Sequence, residues 1–404
     1  MTDEKLLRWI WLTTVTTIGS YTPHRLLHHF SSVEAVYEAD EEAYRQVSDL
    51  RKEYISPLLN KSLDKAKEIG DYCRAYQVGV VTPDDYCYPQ RLKTMLNYPL
   101  VLYYFGTWYD FDALPCVAMV GPRKMSPYGE AATKRIGVDL ATSGVLIVSG
   151  LAEGVDGLAH KAALYAGGKT VGILGCGIDR IYPASNKELY LQMYQRGLVV
   201  SEFPPGTAPM ARNFPIRNRI ISGLSCAVLV VEAGESSGSL ITADYALKQK
   251  RLLFTVPGSI FSANALGSNH LFRVGAMACM SYVDIAEALR QDFPHEILLR
   301  PKAVENKKRK AASSDKEYLP SFDRKKRPLV EKRLVKEPAK KNAETVNLSS
   351  EEKSIFDLLS YEPVLADNLV GEDRSVAQVM RILSMLELKG VVCACPGNRF
   401  MKED

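Results

Sequence analysis

The sequence of 404 residues lacks any long apolar run. A membrane-spanning helix needs roughly 20 consecutive apolar residues, and no stretch approaches that length, so we expect no membrane partner. The eight cysteines are scattered and include no CxxC pair, which argues against a disulfide framework and against a zinc site. The first residues are acidic where a secretory signal would be basic. We therefore expect a cytoplasmic protein that holds no metal.

The sequence motifs of several enzyme classes are also missing. Neither GxGxxG nor GxxxxGK[ST] occurs, which argues against a dinucleotide enzyme and against a P-loop nucleotidase. The sequence also shows no grouping of Ser, His and Asp and no pair of carboxylates of the kind that would indicate a hydrolase. We therefore expect no cofactor and no catalytic residues, so the protein is predicted not to be an enzyme.

The histidines do not change that prediction. His24 and His28 lie four residues apart on a predicted helix, next to His29, but no third ligand is nearby. A solvated helix face is the preferred interpretation of these three side chains. His160 lies in a helical pattern that would pack against a sheet, which favours a buried structural histidine over a catalytic one.

The composition is that of a globular protein with two to four domains, with 46% hydrophobic and 24% charged residues. The net charge of +4 conceals an asymmetry. Residues Arg300–Lys341 carry 16 Lys and Arg against 6 Asp and Glu, whereas the rest of the chain has 35 basic and 41 acidic residues. Because residues 300–347 have few large apolar side chains, they are predicted to be a disordered basic linker, either a tether or a nonspecific arm for nucleic acid.

Periodicity divides the remainder into three parts. Residues 1–75 have amphipathic helical patterns, at Glu4–Thr14, Pro23–Phe30, Glu34–Ala39, Glu41–Arg51 and Lys61–Tyr76. Residues 76–299 alternate short β-branched runs with helical patterns, the runs beginning near Val117, Val145, Thr170, Leu198, Ala227 and Leu252. This alternation predicts an α/β fold with an extended, doubly wound Rossmann-like parallel sheet. Residues 348–404 form the third part.

The predicted loops after the strands are rich in glycine and serine. Small residues before a helix let backbone N–H groups approach an anion, and the helix N-terminus adds a partial positive charge. Several such loops at one sheet edge predict an anion-binding crevice. Its candidate residues are Gly121, Ser149, Gly150, Ser237, Gly238 and Ser239.

The predicted loop Ser201–Ser225 contains the segment ARNFPIRNR, which combines arginine, asparagine and an aromatic ring. Guanidinium groups bind phosphate, asparagines contact bases or sugars, and an aromatic ring stacks on a base. These groups predict a site for single-stranded nucleic acid, made by Arg123, Arg212, Asn213, Phe214, Arg217, Asn218 and Arg219. We expect one arginine, Arg217 or Arg219, to pair with Glu202 or Glu232 for a structural reason.

The motifs resemble those of the DNA-processing protein A (DprA/Smf) family. VGPRKMSPYG resembles the VGSRxxSxYG element of that family, with Pro122 where the family has Ser or Thr. SGLAEGVDGLAH, LGCGIDRIYPASN, FPIRNRIISGLS and SGSLITADYAL follow in the order in which the family shows them. PGS and a GxNxLxxxGA-like segment come next, at Pro257–Ser259 and Gly267–Ala276.

The resemblance extends to both ends of the chain. IGSYTPHRLLHHFSSVEAVYEA looks like the helical module of SAM or helix-hairpin-helix type in that family, without the GxG hairpin that grips backbone phosphate. Residues Leu348–Lys402 are similar to its winged-helix domain, with strands Val391–Cys395 and Asn398–Met401 around Pro396-Gly397 and a candidate recognition helix at Ser375–Lys389. The implied division is therefore helical module, extended Rossmann domain, basic linker and winged helix.

The resemblance implies a cytosolic, non-enzymatic protein that binds single-stranded DNA in the crevice. It further implies a homodimer formed through the Rossmann domain, protection of incoming DNA, and loading of the RecA recombinase during natural transformation or recombination. Two alternatives stay open. One is a Rossmann-type nucleotide phosphoribohydrolase, and the other is a transcription regulator that uses the winged helix, with Arg374, Gln378 and Arg381 on its candidate recognition helix.

Overall fold

The computed structural model describes residues 3–299, 349–360, 364–369, 376–389, 391–395 and 399–402. The chain divides into two compact units, Met1–Lys308 and Arg309–Asp404. The predicted linker at 300–347 and the predicted turn at Pro396-Gly397 lie outside the described residues.

The first unit begins with six helices, α1 to α6, at Asp3–Val15, Thr22–Phe30, Val33–Glu38, Glu41–Arg45, Lys52–Leu59 and Asp64–Ala75. The expected single helix Glu41–Arg51 is wrong, because α4 ends at Arg45 and a separate helix starts at Lys52. Asp49, between them, has φ of +58°, a left-handed conformation that interrupts a right-handed helix.

These helices share a hydrophobic core with the sheet that follows. Trp11, Leu26 and Tyr44 are buried in one cluster with Tyr103 and Tyr190 from the α/β part. A side chain of α2 joins the two parts as well. The ring of His24 donates through Nε2 to the carbonyl oxygen of Tyr98 at 2.8 Å, so the expectation of a solvated helix face is wrong for His24. The helical segment is therefore part of one packed body with the sheet.

Nine strands, β1 to β9, form the sheet in the order β1-β2-β6-β5-β4-β3-β7-β8-β9. Their bounds are Gly79–Val81, Leu102–Gly106, Cys116–Val120, Leu146–Ser149, Thr170–Leu174, Leu198–Ser201, Ala227–Val230, Leu252–Thr255 and Met277–Ala278. The seven strands from β6 to β9 in this order are parallel, which confirms the predicted sheet. The antiparallel edge made by β1 and β2 was not predicted. The strand order reverses between β3 and β7, which are neighbours at the topological switch point.

Helices cover both faces of the sheet. They are α7 Gln90–Lys93, α8 Pro127–Thr142, α9 Val155–Tyr165, α10 Lys187–Arg196, α11 Asn213–Gly223, α12 Ser239–Lys248, α13 Leu266–Leu271 and α14 Tyr282–Leu289. Alternate residues of β3 enter different cores: Val117 and Met119 pack with α8, α9 and α14, whereas Ala118 and Val120 pack with α11 and α12. Burial on both faces explains why these strands are continuous apolar runs.

Helix α11 lies where a loop was predicted, so the interpretation of Ser201–Ser225 as one loop is wrong. Pro215 falls in the first turn of α11, where its missing N–H costs nothing. Ile220 and Ile221 then enter the core beneath the helix. Burial of this apolar stretch decides the local conformation despite the proline and glycines around it.

A buried ion pair fixes α11 to the sheet. Arg219 on α11 is 1% exposed, and its Nη2 donates to both carboxylate oxygens of Glu202, at 2.6 and 2.7 Å. Glu202 directly follows β6 and is also buried. One of the two suspected arginines thus has the structural partner that the sequence suggested.

The second unit has its own core. Its helices are α15 Ser350–Leu358 and α16 Val376–Leu388, and its strands β10 Val364–Leu365, β11 Val392–Cys395 and β12 Arg399–Lys402 form the sheet β10-β12-β11. Ile355, Leu383 and Phe400 are buried together. Among the described residues, α15, the short 3-10 helix Ala366–Leu369 and α16 accompany a three-stranded antiparallel sheet, as expected for a winged helix, and the candidate recognition helix corresponds to α16.

In the described part of the chain, no helix combines the length and the apolar character that crossing a bilayer would require.

Replacing Glu202 with Gln should strongly destabilise the first unit. The substitution leaves Arg219 as an unpaired buried charge, and breaking a buried pair in this way costs about 3–5 kcal/mol. Asp244→Asn is the matched control, because Asp244 and Lys248 form an exposed pair at 2.6 Å on α12. An exposed pair of this spacing contributes little to stability, because water and salt screen the two charges. Urea denaturation of both variants measures the difference, and equal losses would show that Arg219 does not depend on Glu202.

Candidate nucleic-acid interface

A cleft of about 470 Å³ lies at the topological switch point, between the carboxyl ends of β3 and β7. In open α/β sheets this is the position at which ligands bind. Four segments line it: the loop after β3, the segment after β4 with the start of α9, the loop after β7 with the start of α12, and one side of α11. The predicted site residues among them are Gly121, Arg123, Phe214, Arg217, Asn218, Ser237, Gly238 and Ser239.

The first loop is held by the segment that follows β4. Gly154 has φ of +78°, and a Cβ there would lie 2.2 Å from the carbonyl oxygen of Pro122. Only glycine permits that approach. The next residue, Val155, donates its N–H to the same oxygen at 3.3 Å. The loop is thereby fixed, and the side chain of Arg123 is left exposed at the mouth of the cleft.

Two guanidinium groups approach the ring of Phe214. The Cζ atoms of Arg123 and Arg217 are each 5.8 Å from the ring centroid, within the range of cation–π attraction. Tyr182 packs beside the same ring, with centroids 5.4 Å apart. A Cβ at Gly175 would approach Phe214 Cδ1 to 2.8 Å, so the ring depends on the missing side chain there. The two guanidinium groups and the two aromatic rings therefore converge at one side of the cleft.

Arg217 is positioned from the interior and is only 4% exposed. Its Nη1 donates to the carbonyl oxygen of Gly150 at 2.7 Å and also to that of Ile173. Its Nε donates to Asn218 Oδ1 at 3.1 Å. Burial lowers the pKa of Arg217 from its ordinary value, although a guanidinium stays charged at neutral pH. Arg217 therefore supplies positive potential to the floor of the cleft from a fixed position.

Asp156, in the first turn of α9, also lines the cleft. Burial raises the pKa of its carboxyl to about 6, against the opposing effect of Arg217 and of Arg123. Its Oδ2 accepts the N–H of Gly150 at 3.1 Å. The electrostatic potential of the cleft therefore changes with pH near neutrality.

The loop after β7 supplies hydroxyl and backbone groups. Ser237 and Ser239 share a hydrogen bond between their Oγ atoms at 2.8 Å, at the start of α12. Asn218 on α11 donates to the carbonyl oxygen of Gly238 at 3.5 Å, which ties the two sides of the cleft together. The positive end of the α12 dipole faces this position.

The other predicted residues lie elsewhere. Gly150 lines a smaller groove of about 160 Å³ that adjoins the cleft beside Tyr182. Ser149 is fully buried and donates to the carbonyl oxygen of Met119 at 2.6 Å. Asn213 is buried, and Arg219 is held by Glu202. Arg212 is exposed just before α11, outside the set of residues that line the cleft.

Sequence reasoning missed two residues. Asp156 carried a usable signal, because it stands six residues after Gly150 at the start of a predicted helix, where a carboxylate caps backbone N–H groups. No signal in the sequence pointed to Tyr182. It lies beside Phe214 only because the segment after β5 packs against that ring, which is a tertiary contact.

His160 is a structural residue. Its Nδ1 lies 2.7 Å from Thr170 Oγ1, and that hydroxyl donates to the carbonyl oxygen of Ile147 at 2.9 Å. The hydroxyl hydrogen is thus committed, so Nδ1–H of His160 is the donor to Thr170. Burial lowers the pKa of His160 to about 3. Across the described ranges no group of three or more His, Cys, Asp and Glu side chains could hold a metal.

Comparisons with known proteins agree with this architecture. The family model for DNA recombination-mediator protein A matches residues 79–290, and the model for the DprA winged helix domain matches residues 338–398. Protein Smf of Synechocystis sp. is 32% identical over 415 residues and covers 100% of both chains. The DNA processing protein DprA of Bacillus subtilis is 42% identical over 202 residues, which are 50% of this chain and 68% of that relative.

A solved structure is similar as well. The X-ray structure of DNA processing protein A from Streptococcus pneumoniae has a TM-score of 0.60 and 33% sequence identity, and it covers 69% of this chain and 95% of that chain. A match over the whole length of a relative, together with family models for both folded units, shows the family. The chain therefore belongs to the DNA recombination-mediator protein A (DprA/Smf) family.

Proposed function

We propose that the cleft at the switch point binds single-stranded DNA and that the protein acts as a recombination mediator by presenting this strand. One observation carries the proposal: the guanidinium carbons of Arg123 and Arg217 are each 5.8 Å from the centroid of the Phe214 ring. Cations beside a half-buried aromatic ring match the alternation of phosphate and base along a single strand.

The proposal extends to partners. The bound strand is transferred to the RecA recombinase. The protein acts in the cytoplasm as a homodimer formed through the Rossmann domain. The dimer is supported by the outer edge of the sheet, where β9 has no further strand among the described residues. Val274, Met277 and Met280 leave apolar surface exposed around this edge. Exposed edges with apolar side chains are pairing sites.

The proposal includes no catalytic step. A phosphoribohydrolase needs a free carboxylate beside the sugar, whereas Asp156, the acidic residue among those that line the cleft, accepts the N–H of Gly150. The winged-helix regulator is also less well supported, because Arg381 is the one basic residue of α16, whereas a helix that reads a DNA groove needs several. Gln378 and Arg381 are exposed on α16, and Arg374 lies outside the described residues.

We also propose a division of the chain into domains. Residues 1–75 pack as a helical module on the α/β part of 76–299, and the linker 300–347 connects this body to the winged helix of 348–404. All residues of the proposed DNA site fall within 76–299, so this part is proposed to hold the strand by itself.

Titration with single-stranded and double-stranded oligonucleotides at several salt concentrations tests the function. We expect preference for the single strand and a logarithmic salt slope near −0.7 for each phosphate contacted. The slope follows because every neutralised phosphate releases counterions. Equal affinity for duplex DNA, or a flat salt profile, would contradict the proposal.

Among single substitutions, Arg123→Ala should weaken single-strand binding most. A charge-assisted hydrogen bond contributes about 1.5–3 kcal/mol, so the loss should be on the order of tenfold or more. Phe214→Ala should cost roughly 1–3 kcal/mol through lost stacking. Arg212→Ala is the matched control, because Arg212 is exposed nearby but does not line the cleft. Fluorescence anisotropy measures the affinities, and a larger effect from Arg212 would place the strand outside the cleft.

Asp156→Asn should strengthen binding at about pH 7.5 and have little effect at about pH 5. The wild-type carboxyl is ionised above its pKa of about 6 and then repels phosphate, whereas below that value it is neutral like Asn. Asn can still accept the Gly150 N–H. The gain at the higher pH should be on the order of tenfold for a charge acting across a partly desolvated cleft.

The same carboxyl affects stability with a definite sign. The pKa of Asp156 is raised in the folded protein above the ordinary value of 3.8, so folding favours the protonated carboxyl. The stability that this preference contributes is fully present below pH 3.8 and is lost as pH rises through about 6. Thermal denaturation should therefore show Asp156→Asn more stable than wild type near neutral pH, with the difference gone near pH 4. Identical pH profiles for the two proteins would show that Asp156 is not responsible.

A further inference from the structure

A second pocket, of about 400 Å³, opens beside the cleft at the carboxyl ends of β7 and β8. Five hydroxyl groups and one carboxylate line it, from Ser126, Tyr128, Ser259, Ser262, Ser268 and Glu232. None of its lining residues is Lys, Arg or His, in contrast to the cleft. We call it the Glu232 pocket.

The lining selects a chemical class. Without a cation, the pocket does not suit a phosphate group, and its acceptor carboxylate favours a ligand that carries N–H donors. Glu232 is 4% exposed and accepts from the N–H of Ser126 at 3.0 Å and from its hydroxyl. A carboxylate has about four acceptor positions, so two hydrogen bonds from Ser126 leave capacity for a ligand. Val231 and Val256 add apolar walls suited to a flat ring.

The pocket and the cleft share their loops. Arg123 lines the cleft and Ser126 lines the pocket, only three residues further along the same loop. In the loop after β7, Glu232 lines the pocket and Gly234, two residues later, lines the cleft. Three residues of extended chain span at most about 11 Å, which is the scale of one nucleotide. A strand whose phosphate contacts Arg123 can therefore reach the pocket with a neighbouring base.

Aromatic side chains lie at and near the rim of the pocket. Tyr128 is 53% exposed, and its hydroxyl donates to the carbonyl oxygen of Pro257 at 2.8 Å. Phe261, on the loop that borders the pocket, is 93% exposed. Asn269 holds this loop from below by accepting the N–H of Gly258 at 3.1 Å and donating to its carbonyl oxygen at 3.0 Å. The entrance is therefore a fixed frame with stacking surfaces.

We propose that the Glu232 pocket receives one nucleobase of the strand bound in the cleft and prefers a base with an exocyclic amino group. Glu232 accepts the amino hydrogen, as acidic side chains do when they contact cytosine N4. This inference rests on the proposed function, and it adds a base preference to binding that is otherwise directed at the backbone.

Oligodeoxycytidine and oligodeoxyuridine of equal length provide the test, because cytosine and uracil have the same ring and differ at the amino-bearing position and its neighbouring nitrogen. The full chain should bind oligodeoxycytidine about tenfold more tightly, the effect of one hydrogen bond to a charged group. Glu232→Gln should bring the ratio of the two affinities close to one, since glutamine can donate to uracil as readily as it accepts from cytosine.

Glu232→Gln could also disturb folding, because Glu232 accepts hydrogen bonds at the start of α8. A second variant that leaves Glu232 in place is therefore needed. Ser262 is half-buried on the loop, and Ser262→Leu should fill the pocket and abolish the preference while the melting temperature stays near that of wild type. Arg123→Ala is the control for the backbone site and should weaken both oligonucleotides equally.

The outcomes separate the two proposals. Equal affinity of the wild-type chain for both oligonucleotides overturns the Glu232 pocket as a base site and leaves the cleft intact if Arg123→Ala still weakens both. A preference that persists in a folded Ser262→Leu variant also overturns it. Failure of the wild-type chain to bind either strand contradicts the proposed function itself.

Discussion

Two buried guanidinium groups on one helix determine where the cleft lies. Arg217 and Arg219 of α11 are desolvated, and each charge requires fixed partners because an unpaired buried cation is costly. Arg219 takes its partner from the residue after β6. Arg217 takes carbonyl oxygens from Gly150, just after β4, and from Ile173, near the end of β5. Helix α11 is thereby tied to three strand ends at once, and Phe214 is placed as a consequence.

The sequence predicts the parallel sheet well, because strands buried on both faces are continuous apolar runs at regular intervals. It predicts the β1–β2 edge and α11 poorly, since β1 has only three residues, and α11 contains a proline and follows a segment with three more. Their conformations depend on contacts with distant residues, as when Gly79 pairs with Tyr104 across the edge. Local propensity carries no information about such contacts.

Residue types predict the chemistry of the cleft more reliably than the exposure of each side chain. Arginine, asparagine and glycine at strand ends indicated an anion site, and most of these residues do meet at the switch point. Arg219 and Asn213 are of the same residue types as Arg123 and Asn218, which line the cleft, but they are buried. In a helix, neighbouring residues point to different sides, so a cluster in sequence divides between the interior and the surface. Only the orientation of α11 decides which residue faces which way.

The contact between Gly175 and Phe214 has a consequence for how this site can vary. A side chain at position 175 would meet the ring at 2.8 Å, so the two positions cannot change independently. Alanine at 175 is disfavoured while an aromatic ring occupies 214, and it becomes acceptable once that ring is removed. Substitution effects at such a pair are non-additive. Across sequences of this fold, the loss of the glycine should therefore accompany the loss of the ring, and a pathway that changes the glycine first passes through a strained intermediate.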